Sequence, residues 1–189
     1  MAEIILFHHS QGLTPGVRAF ADDLAAAGHV VHIPDLFEGR TFEDVGSGVA
    51  HAQAIGFDTV LARGVAAAEG LPAELVYAGF SMGVMPAQKL AQTRPGAVGA
   101  LFLDACLPVE EFGTWPEGLP VQVHGGLDDE WFAEDLESAR ALAGTVPTAE
   151  LFLYSGTAHL FADSSLPGHD ARAAGLVLQR ALPFLAALP

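Results

Sequence analysis

Short runs of consecutive apolar residues alternate along this chain with longer segments in which apolar residues recur at helical spacing. Near-continuous apolar runs are typical of parallel strands that are covered on both faces. We predict strands at Glu3–Phe7, Val30–Ile33, Glu74–Ala78, Ala97–Leu103, Pro120–His124 and Glu150–Tyr154, and helices near Gly16–Ala27, Phe57–Ala68, Met82–Gln92, Trp131–Leu142 and His169–Leu188. Since no linker divides this alternation, residues 1–189 are predicted to form a single α/β domain around a mostly parallel sheet, with helices on both faces.

Two segments lack a clear helical or strand pattern, Phe37–Gly56 and Leu107–Leu119, and both follow the ends of predicted strands. In an open α/β sheet the ligand crevice lies at the carboxyl ends of the strands, so these segments are expected to form walls of a pocket. Surface connections without a function are the alternative interpretation of the same pattern.

Charge and composition exclude several classes of partner. The chain has 8 basic and 23 acidic residues, and its formal net charge of −15 repels nucleic acid and anionic membranes. No apolar run reaches the length of a membrane span, and the N-terminus reads directly as a strand without a basic leader, so we expect a soluble cytoplasmic protein. Cys106 is the only cysteine, which excludes an intrachain disulfide, and it is interpreted as a buried, unreactive thiol.

The most informative stretch of the chain is Gly79-Phe80-Ser81-Met82-Gly83. This Gly-x-Ser-x-Gly pattern follows a predicted strand and precedes a predicted helix, which is the setting of a nucleophile elbow. A serine on such a sharp turn projects its hydroxyl above the sheet, and the two glycines leave room for the strained backbone. We therefore predict that Ser81 is a catalytic nucleophile; a plain structural turn is the alternative.

A serine nucleophile needs a base, and in α/β-hydrolases the acid and then the histidine follow the serine along the chain. Three histidines follow Ser81, namely His124, His159 and His169. His159 lies in a loop of small residues just past a predicted strand, whereas His124 ends a strand and His169 precedes the last helix. We predict that His159 is the base, with the other two as alternatives.

The acid that orients the histidine should leave a strand between the nucleophile and the base. Asp128 follows the predicted strand Pro120–His124 after two glycines and is the predicted acid. Its neighbour Asp129 and Asp104, which ends the preceding strand, are the alternatives.

The loop after the first strand, His8-His9-Ser10-Gln11-Gly12, is the expected place for a second oxyanion donor. We predict that the backbone N–H groups of Met82 and Ser10 form the oxyanion hole. Adjacent side chains on an extended backbone point to opposite faces, so His8 and His9 cannot readily bind one metal ion together. No metal site is predicted, and the reaction needs no cofactor.

Two tryptophans, Trp115 and Trp131, lie beside the expected crevice. They are predicted pocket residues that shape an apolar acyl site, and packing in the core is the alternative interpretation.

At these positions the chain resembles the dienelactone hydrolase family. The resemblance rests on five stretches in the family's order and approximate spacing: Phe7-His8-His9-Ser10-Gln11-Gly12, Ile33-Pro34-Asp35-Leu36-Phe37, Gly79-Phe80-Ser81-Met82-Gly83, Gly125-Gly126-Leu127-Asp128 and Ala158-His159-Leu160-Phe161. It implies a compact α/β-hydrolase fold without a large cap, and hydrolysis of a small-molecule ester or lactone. Carried onto this chain, the family's nucleophile, histidine and acid are Ser81, His159 and Asp128.

Three positions depart from the family's pattern. Ser81 stands where the type enzymes use a cysteine, and His9, a predicted pocket residue, stands in place of a glutamate in the first loop. Asp163, four residues past His159, occupies the place of an arginine that binds the substrate carboxylate. Because a carboxylate there is expected to repel an anionic lactone, hydrolysis is better supported than dienelactone as the substrate. A non-catalytic ligand-binding protein and an acyltransferase with the same triad are the alternative functions.

Overall fold

The centre of the molecule is a six-stranded sheet in which every strand runs parallel to its neighbours. The computed structural model describes all residues, 1–189. The strands are β1 (Glu3–Phe7), β2 (Val30–His32), β3 (Leu75–Phe80), β4 (Ala97–Leu103), β5 (Val121–Gly126) and β6 (Ala149–Tyr154). Their order is β2-β1-β3-β4-β5-β6, so the chain reverses its direction of travel across the sheet between β1 and β3. Ligand crevices of open α/β sheets lie at such a reversal.

Six helices connect or follow these strands: α1 (Pro15–Ala26), α2 (Val45–Ile55), α3 (Phe57–Ala67), α4 (Val84–Thr93), α5 (Leu136–Thr145) and α6 (Ala171–Ala187). Three of them begin after a side chain that accepts a hydrogen bond from the first turn. These N-cap residues are Thr14, Asp44 and Asp170, residue types that satisfy the free N–H groups of a helix start.

Helices cover both faces of the sheet, and the strands place alternate side chains in two separate cores. In β1, Ile5 and Phe7 join a cluster of 23 buried residues, whereas Ile4 and Leu6 join a cluster of 20 on the opposite face. The second cluster contains the apolar faces of α1 and α6. This two-sided burial explains why the strands read as continuous apolar runs, and it confirms the predicted α/β class.

Most element boundaries shift by one or two residues from the sequence-based expectations, and three differences lie in segments around the site. The segment Phe37–Gly56 was expected to be irregular, but it contains the 11-residue helix α2. The expected helix at Trp131–Leu142 begins only at Leu136, after a short 3₁₀ turn. Strand β5 runs to Gly126 rather than to His124, because its last two residues still pair with β6. The extension of β5 changes which acidic side chain reaches the site.

The carboxyl ends of β1, β3, β4, β5 and β6 meet at the same edge of the sheet, since all strands are parallel. The motifs singled out in the sequence follow these strand ends and are therefore brought together there. None of the helices has both the length and the apolar character that crossing a bilayer requires.

Candidate active site

Ser81 lies on a strained turn directly after β3. Its φ of 47° falls in the left-handed region that residues other than glycine seldom adopt. A side chain at Gly79 would collide with the backbone of Gly83, and a side chain at Gly83 would collide with the carbonyl groups of Phe7 and His8. Close backbone approach thus requires both glycines, and the turn has the geometry of a nucleophile elbow.

His159 lies within hydrogen-bond distance of this serine. Its Nε2 atom is 2.9 Å from Ser81 Oγ. The loop after β6 is anchored beside the histidine by Leu160, which is fully buried with φ of 60°. The two alternative histidines lie elsewhere: His124 is buried against Tyr154, and His169 contacts a backbone carbonyl before α6. The structure therefore brings together the predicted pair of serine and histidine.

The carboxylate that contacts His159 belongs to Asp129, and the expectation that Asp128 would do so is wrong. Asp129 Oδ2 lies 2.6 Å from His159 Nδ1, and its other oxygen accepts a hydrogen bond from the Trp131 N–H at 3.0 Å. Asp129 is buried, whereas Asp128 is exposed to solvent and contacts no histidine.

The length of β5 explains this one-residue correction. Because Gly125 and Gly126 stay in the sheet, the backbone N–H groups of the next two residues, Leu127 and Asp128, bond to carbonyl groups at the end of β6 and beyond it. Both side chains consequently point outward, and the chain turns inward only at Asp129. A Cβ atom at Gly126 would lie 2.9 Å from the Asp129 side chain, so the glycine also makes room for the acid.

Asp104, the other alternative acid, forms no hydrogen bond through its side chain. It follows β4 with φ of 60°, is 2% exposed, and neither carboxylate oxygen has a partner. Burial raises the pKa of Asp104 to about 7; the nearby His159 partly opposes this rise, and the charge of Asp129 adds to it. A buried carboxylate without a donor is costly, and such groups mark candidate functional positions.

A cavity of about 330 Å³ opens beside Ser81 and His159, within the range of small-molecule sites. Apolar side chains from α2, the start of α3, the turn after β3, the start of α4 and the segment after β4 line most of it: Val45, Val49, Phe57, Met82, Met85, Ala105 and Leu107. Both segments that lacked a clear pattern in the sequence thus contribute to the wall, through Val45 and Val49 from one and Leu107 from the other.

Ser10 and Met82, the predicted oxyanion donors, both line this cavity next to Ser81. Met82 lies in the first turn of the helical segment after the serine, where backbone N–H groups lack helical partners. Ser10 follows β1 at the point where the sheet order reverses, and its hydroxyl is buried without a hydrogen-bond partner. The geometry is compatible with the predicted role of both groups.

Of the three predicted pocket residues, only Trp131 reaches the cavity. Its indole is 50% exposed, and its ring centroid lies 6.1 Å from that of His159. The expectation for Trp115 is wrong, because its ring packs on Phe102 and its Nε1–H donates to the Leu119 carbonyl. The expectation for His9 is also wrong: its side chain is fully buried and turned away from the cavity.

His9 instead binds Asp163 in the protein interior, at 2.8 Å between Nε2 and Oδ2. Its Nδ1 accepts a hydrogen bond from the Gln11 N–H, so Nε2 carries the proton. Burial alone would raise the pKa of Asp163, but hydrogen bonds from His9, Thr14 and Ser165 outweigh burial and hold it at about 2. The pair therefore ties the loop that carries Ser10 to the segment that follows His159.

Cys106 is fully buried and lies in the chain between Ala105 and Leu107, two residues that line the cavity. Burial, with a contribution from the nearby Asp135, raises the pKa of its thiol to about 12. A thiol with such a pKa is protonated at neutral pH and is a poor nucleophile. The prediction that Cys106 is buried is confirmed.

Comparison with known proteins identifies the family. The sequence model of the dienelactone hydrolase family matches residues 1–188. The chain belongs to this family. No curated protein sequence matches it significantly.

Solved structures share the fold of this family member. A dienelactone hydrolase-like promiscuous phosphotriesterase from metagenomic libraries superposes with a TM-score of 0.77 and 18% identity, covering 100% of this chain and 87% of that one. A candidate dienelactone hydrolase from Klebsiella pneumoniae gives a TM-score of 0.76 and 20% identity, with 99% and 87% coverage. Esterase 2 from Thermogutta terrifontis gives 0.61 and 21%, with 98% and 81% coverage. These likenesses establish an α/β-hydrolase fold.

Asp163, which stands at the position of the dienelactone hydrolase family's substrate-binding arginine, does not have the effect expected from the sequence. Its carboxylate was expected to repel an anionic substrate, but it is fully buried, bound by three side chains and absent from the cavity wall. No arginine or lysine lines the cavity either, so nothing cationic beside His159 is present to hold a substrate carboxylate.

Proposed function

We propose that this protein is a serine hydrolase that cleaves an ester or lactone through Ser81, His159 and Asp129 and an acyl-enzyme intermediate. The observation that carries the proposal is the continuous series of hydrogen bonds from Asp129 through both ring nitrogens of His159 to Ser81. This arrangement, at the mouth of a cavity of small-molecule size, is the one that activates a serine hydroxyl.

In the first half of the proposed reaction, His159 Nε2 accepts the proton of Ser81 while Oγ attacks the substrate carbonyl. Asp129 holds Nδ1–H and stabilises the imidazolium that forms. The tetrahedral intermediate then collapses: the bond between the carbonyl carbon and the alkoxy oxygen breaks, and the imidazolium gives its proton to the departing alcohol. Ser81 is left acylated.

In the second half, water enters the place of the alcohol and His159 removes a proton from it as it attacks the acyl carbon. Collapse of this intermediate returns the proton from the imidazolium to Ser81 Oγ and releases the carboxylic acid. In each half the N–H groups of Met82 and Ser10 are the proposed donors to the oxyanion, a contribution that typically amounts to about 3 kcal/mol per donor.

The dienelactone hydrolase family and the esterase among the structural neighbours support hydrolysis as the type of reaction. Esterase 2 from Thermogutta terrifontis has also been solved in a form phosphorylated by paraoxon. An organophosphate is accordingly a suitable covalent probe for the proposed nucleophile of this chain.

The test is hydrolysis of a panel of short p-nitrophenyl esters and simple lactones by the wild type and by Ser81→Ala. Ser138→Ala, which removes a hydroxyl on α5 outside the cavity, is the matched control. We expect turnover by the wild type and the control, and a loss of several orders of magnitude in Ser81→Ala. Undiminished turnover by folded Ser81→Ala would exclude the proposed nucleophile, and product formed only with an added alcohol or amine would indicate acyl transfer.

A further inference from the structure

The polar part of the cavity wall contains more acidic than basic side chains. Three carboxylates line it besides the proposed catalytic set: Asp104, Glu134 and Asp135. His159 is the only lining side chain that can carry a positive charge. The Asp129 carboxylate already contacts His159 at 2.6 Å, and none of the other three carboxylates forms an ion pair within the cavity.

The burial and contacts of Asp104 separate this arrangement from an ordinary acidic surface. Asp104 is almost completely buried in the cavity wall, and neither of its carboxylate oxygens finds a protein donor. Asp135 receives only one backbone hydrogen bond, from Cys106 at 3.1 Å, and Glu134 is exposed at the rim. A carboxylate kept unpaired in a protein interior requires an explanation, and a partner supplied by a ligand is one.

Aromatic rings complete the same cavity. Trp131 and Phe57 both line it and are 50% and 41% exposed, although large apolar side chains usually avoid water. The face of an aromatic ring attracts a cation, and aromatic rings together with carboxylates are a common means of binding alkylammonium groups. Val45, Val49 and Leu107 leave an apolar surface beside them for methyl or methylene groups.

We propose that this cavity selects esters that carry an alkylammonium group, with Trp131 and Phe57 contacting the cation and Asp104, Glu134 and Asp135 supplying the negative potential. This inference rests on the proposed hydrolase function and names its substrate class. It also agrees with the lack of any arginine or lysine in the wall, which leaves an anionic substrate without a partner.

The kinetic test compares two esters of the same shape, butyrylcholine and 3,3-dimethylbutyl butyrate, which differ only in the positive charge. We expect kcat/KM to favour the cationic ester by about tenfold or more in the wild type. The preference should fall several-fold in Glu134→Gln, an exposed position where the substitution leaves the core unchanged, and should fall further in Glu134→Gln/Asp104→Asn. Asp22→Asn, an exposed charge on α1, is the control for the overall field and should keep the full preference.

A binding measurement separates failure of this inference from failure of the hydrolase proposal. In Ser81→Ala, choline should bind more tightly than its neutral isostere 3,3-dimethylbutan-1-ol by calorimetry, at an ionic strength of 0.15 M or above where distant charges are screened. If the wild type hydrolyses none of the esters, or hydrolyses them no faster than Ser81→Ala, while choline still binds, only the hydrolase proposal is refuted. If the cationic and neutral members behave equally in both assays, the substrate class is overturned. A preference that survives undiminished in the double variant would overturn the role of the carboxylates in selecting it.

Discussion

The Asp129 carboxylate lies 2.6 Å from Nδ1 of His159, on the edge of the ring opposite the one that faces Ser81. Asp129 can therefore hold the imidazole in the tautomer whose Nε2 is free to accept a proton. A second hydrogen bond, from the backbone N–H of Trp131, fixes the other carboxylate oxygen. The orientation of the His159 ring thus depends on a residue that is itself held in place.

This relationship predicts opposite outcomes for two adjacent substitutions. Asp129→Asn should lower kcat for a p-nitrophenyl ester by roughly 10⁴-fold, because an amide stabilises the wrong tautomer and cannot balance the imidazolium. Asp128→Asn, which alters an exposed side chain one residue earlier, should stay within about twofold of the wild type. If folded Asp128→Asn lost activity and folded Asp129→Asn kept it, Asp128 would be the residue that orients His159.

The close backbone approach at the serine turn predicts opposite effects on stability for a second pair of substitutions. Gly83→Ala places a methyl group against the carbonyl groups of Phe7 and His8, which are backbone atoms that cannot rotate away. We expect a loss of roughly 1–3 kcal/mol in the free energy of unfolding together with reduced turnover. Gly175→Ala, at an exposed and open position of α6, should instead stabilise by about 0.5–1 kcal/mol. Urea denaturation measures both, and a neutral Gly83→Ala would contradict the packing argument.

The unpaired Asp104 predicts a stability that falls as pH rises. In the unfolded chain its carboxyl ionises near 3.8, whereas in the folded protein burial raises the pKa to about 7. Between about pH 4 and pH 7, Asp104 is therefore ionised in the unfolded chain but still largely protonated in the folded protein. The free energy of unfolding consequently decreases as the pH rises through this range. Asp104→Asn removes this ionisation and keeps a residue type that tolerates positive φ.

We expect the stability gained by Asp104→Asn to be larger at pH 8 than at pH 5, by roughly 2–3 kcal/mol. Urea unfolding of the ligand-free protein at the two pH values measures this difference. Asp128→Asn serves as the exposed control and should show no such trend. A gain that is the same at both pH values would mean that Asp104 has a partner.

The interior contact between His9 and Asp163 predicts a structural effect with a catalytic consequence. Asp163→Asn removes the charge that accepts hydrogen bonds from His9, Thr14 and Ser165, and should destabilise the fold by about 3 kcal/mol. Because His9 precedes Ser10, we also expect a lower kcat with little change in KM. Wild-type stability combined with wild-type kcat would show that the contact does not position this loop.

Short continuous runs of apolar residues were sufficient to predict all six strands, because burial on both faces of the sheet requires apolar residues at successive positions. Helix α2 was missed because Gly46 and Gly48 weaken the helical signal of its sequence. The structure gives the reason for one of them: a side chain at Gly48 would collide with the backbone of Ser10. Packing between α2 and the loop after β1 is a tertiary requirement that the local sequence does not reveal.

Of the three side chains joined by hydrogen bonds, the sequence predicted the serine and the histidine correctly and placed the acid one residue too early. Ser81 and His159 are marked by local motifs, whereas the choice between Asp128 and Asp129 depends on where β5 stops pairing with β6. Glycines at a strand end do not indicate whether the ladder continues through them. Likewise, no sequence signal distinguished Trp131, which reaches the cavity, from Trp115, which packs in the core.

The role of Ser81 as a nucleophile activated by His159 is tested by measuring the mass of the protein after reaction with paraoxon, followed by peptide mapping. We expect one diethylphosphoryl group on Ser81 in the wild type, no such modification in Ser81→Ala, and labelling slowed by orders of magnitude in His159→Ala. Modification at another residue, or labelling of Ser81 at an unchanged rate without the histidine, would contradict this role.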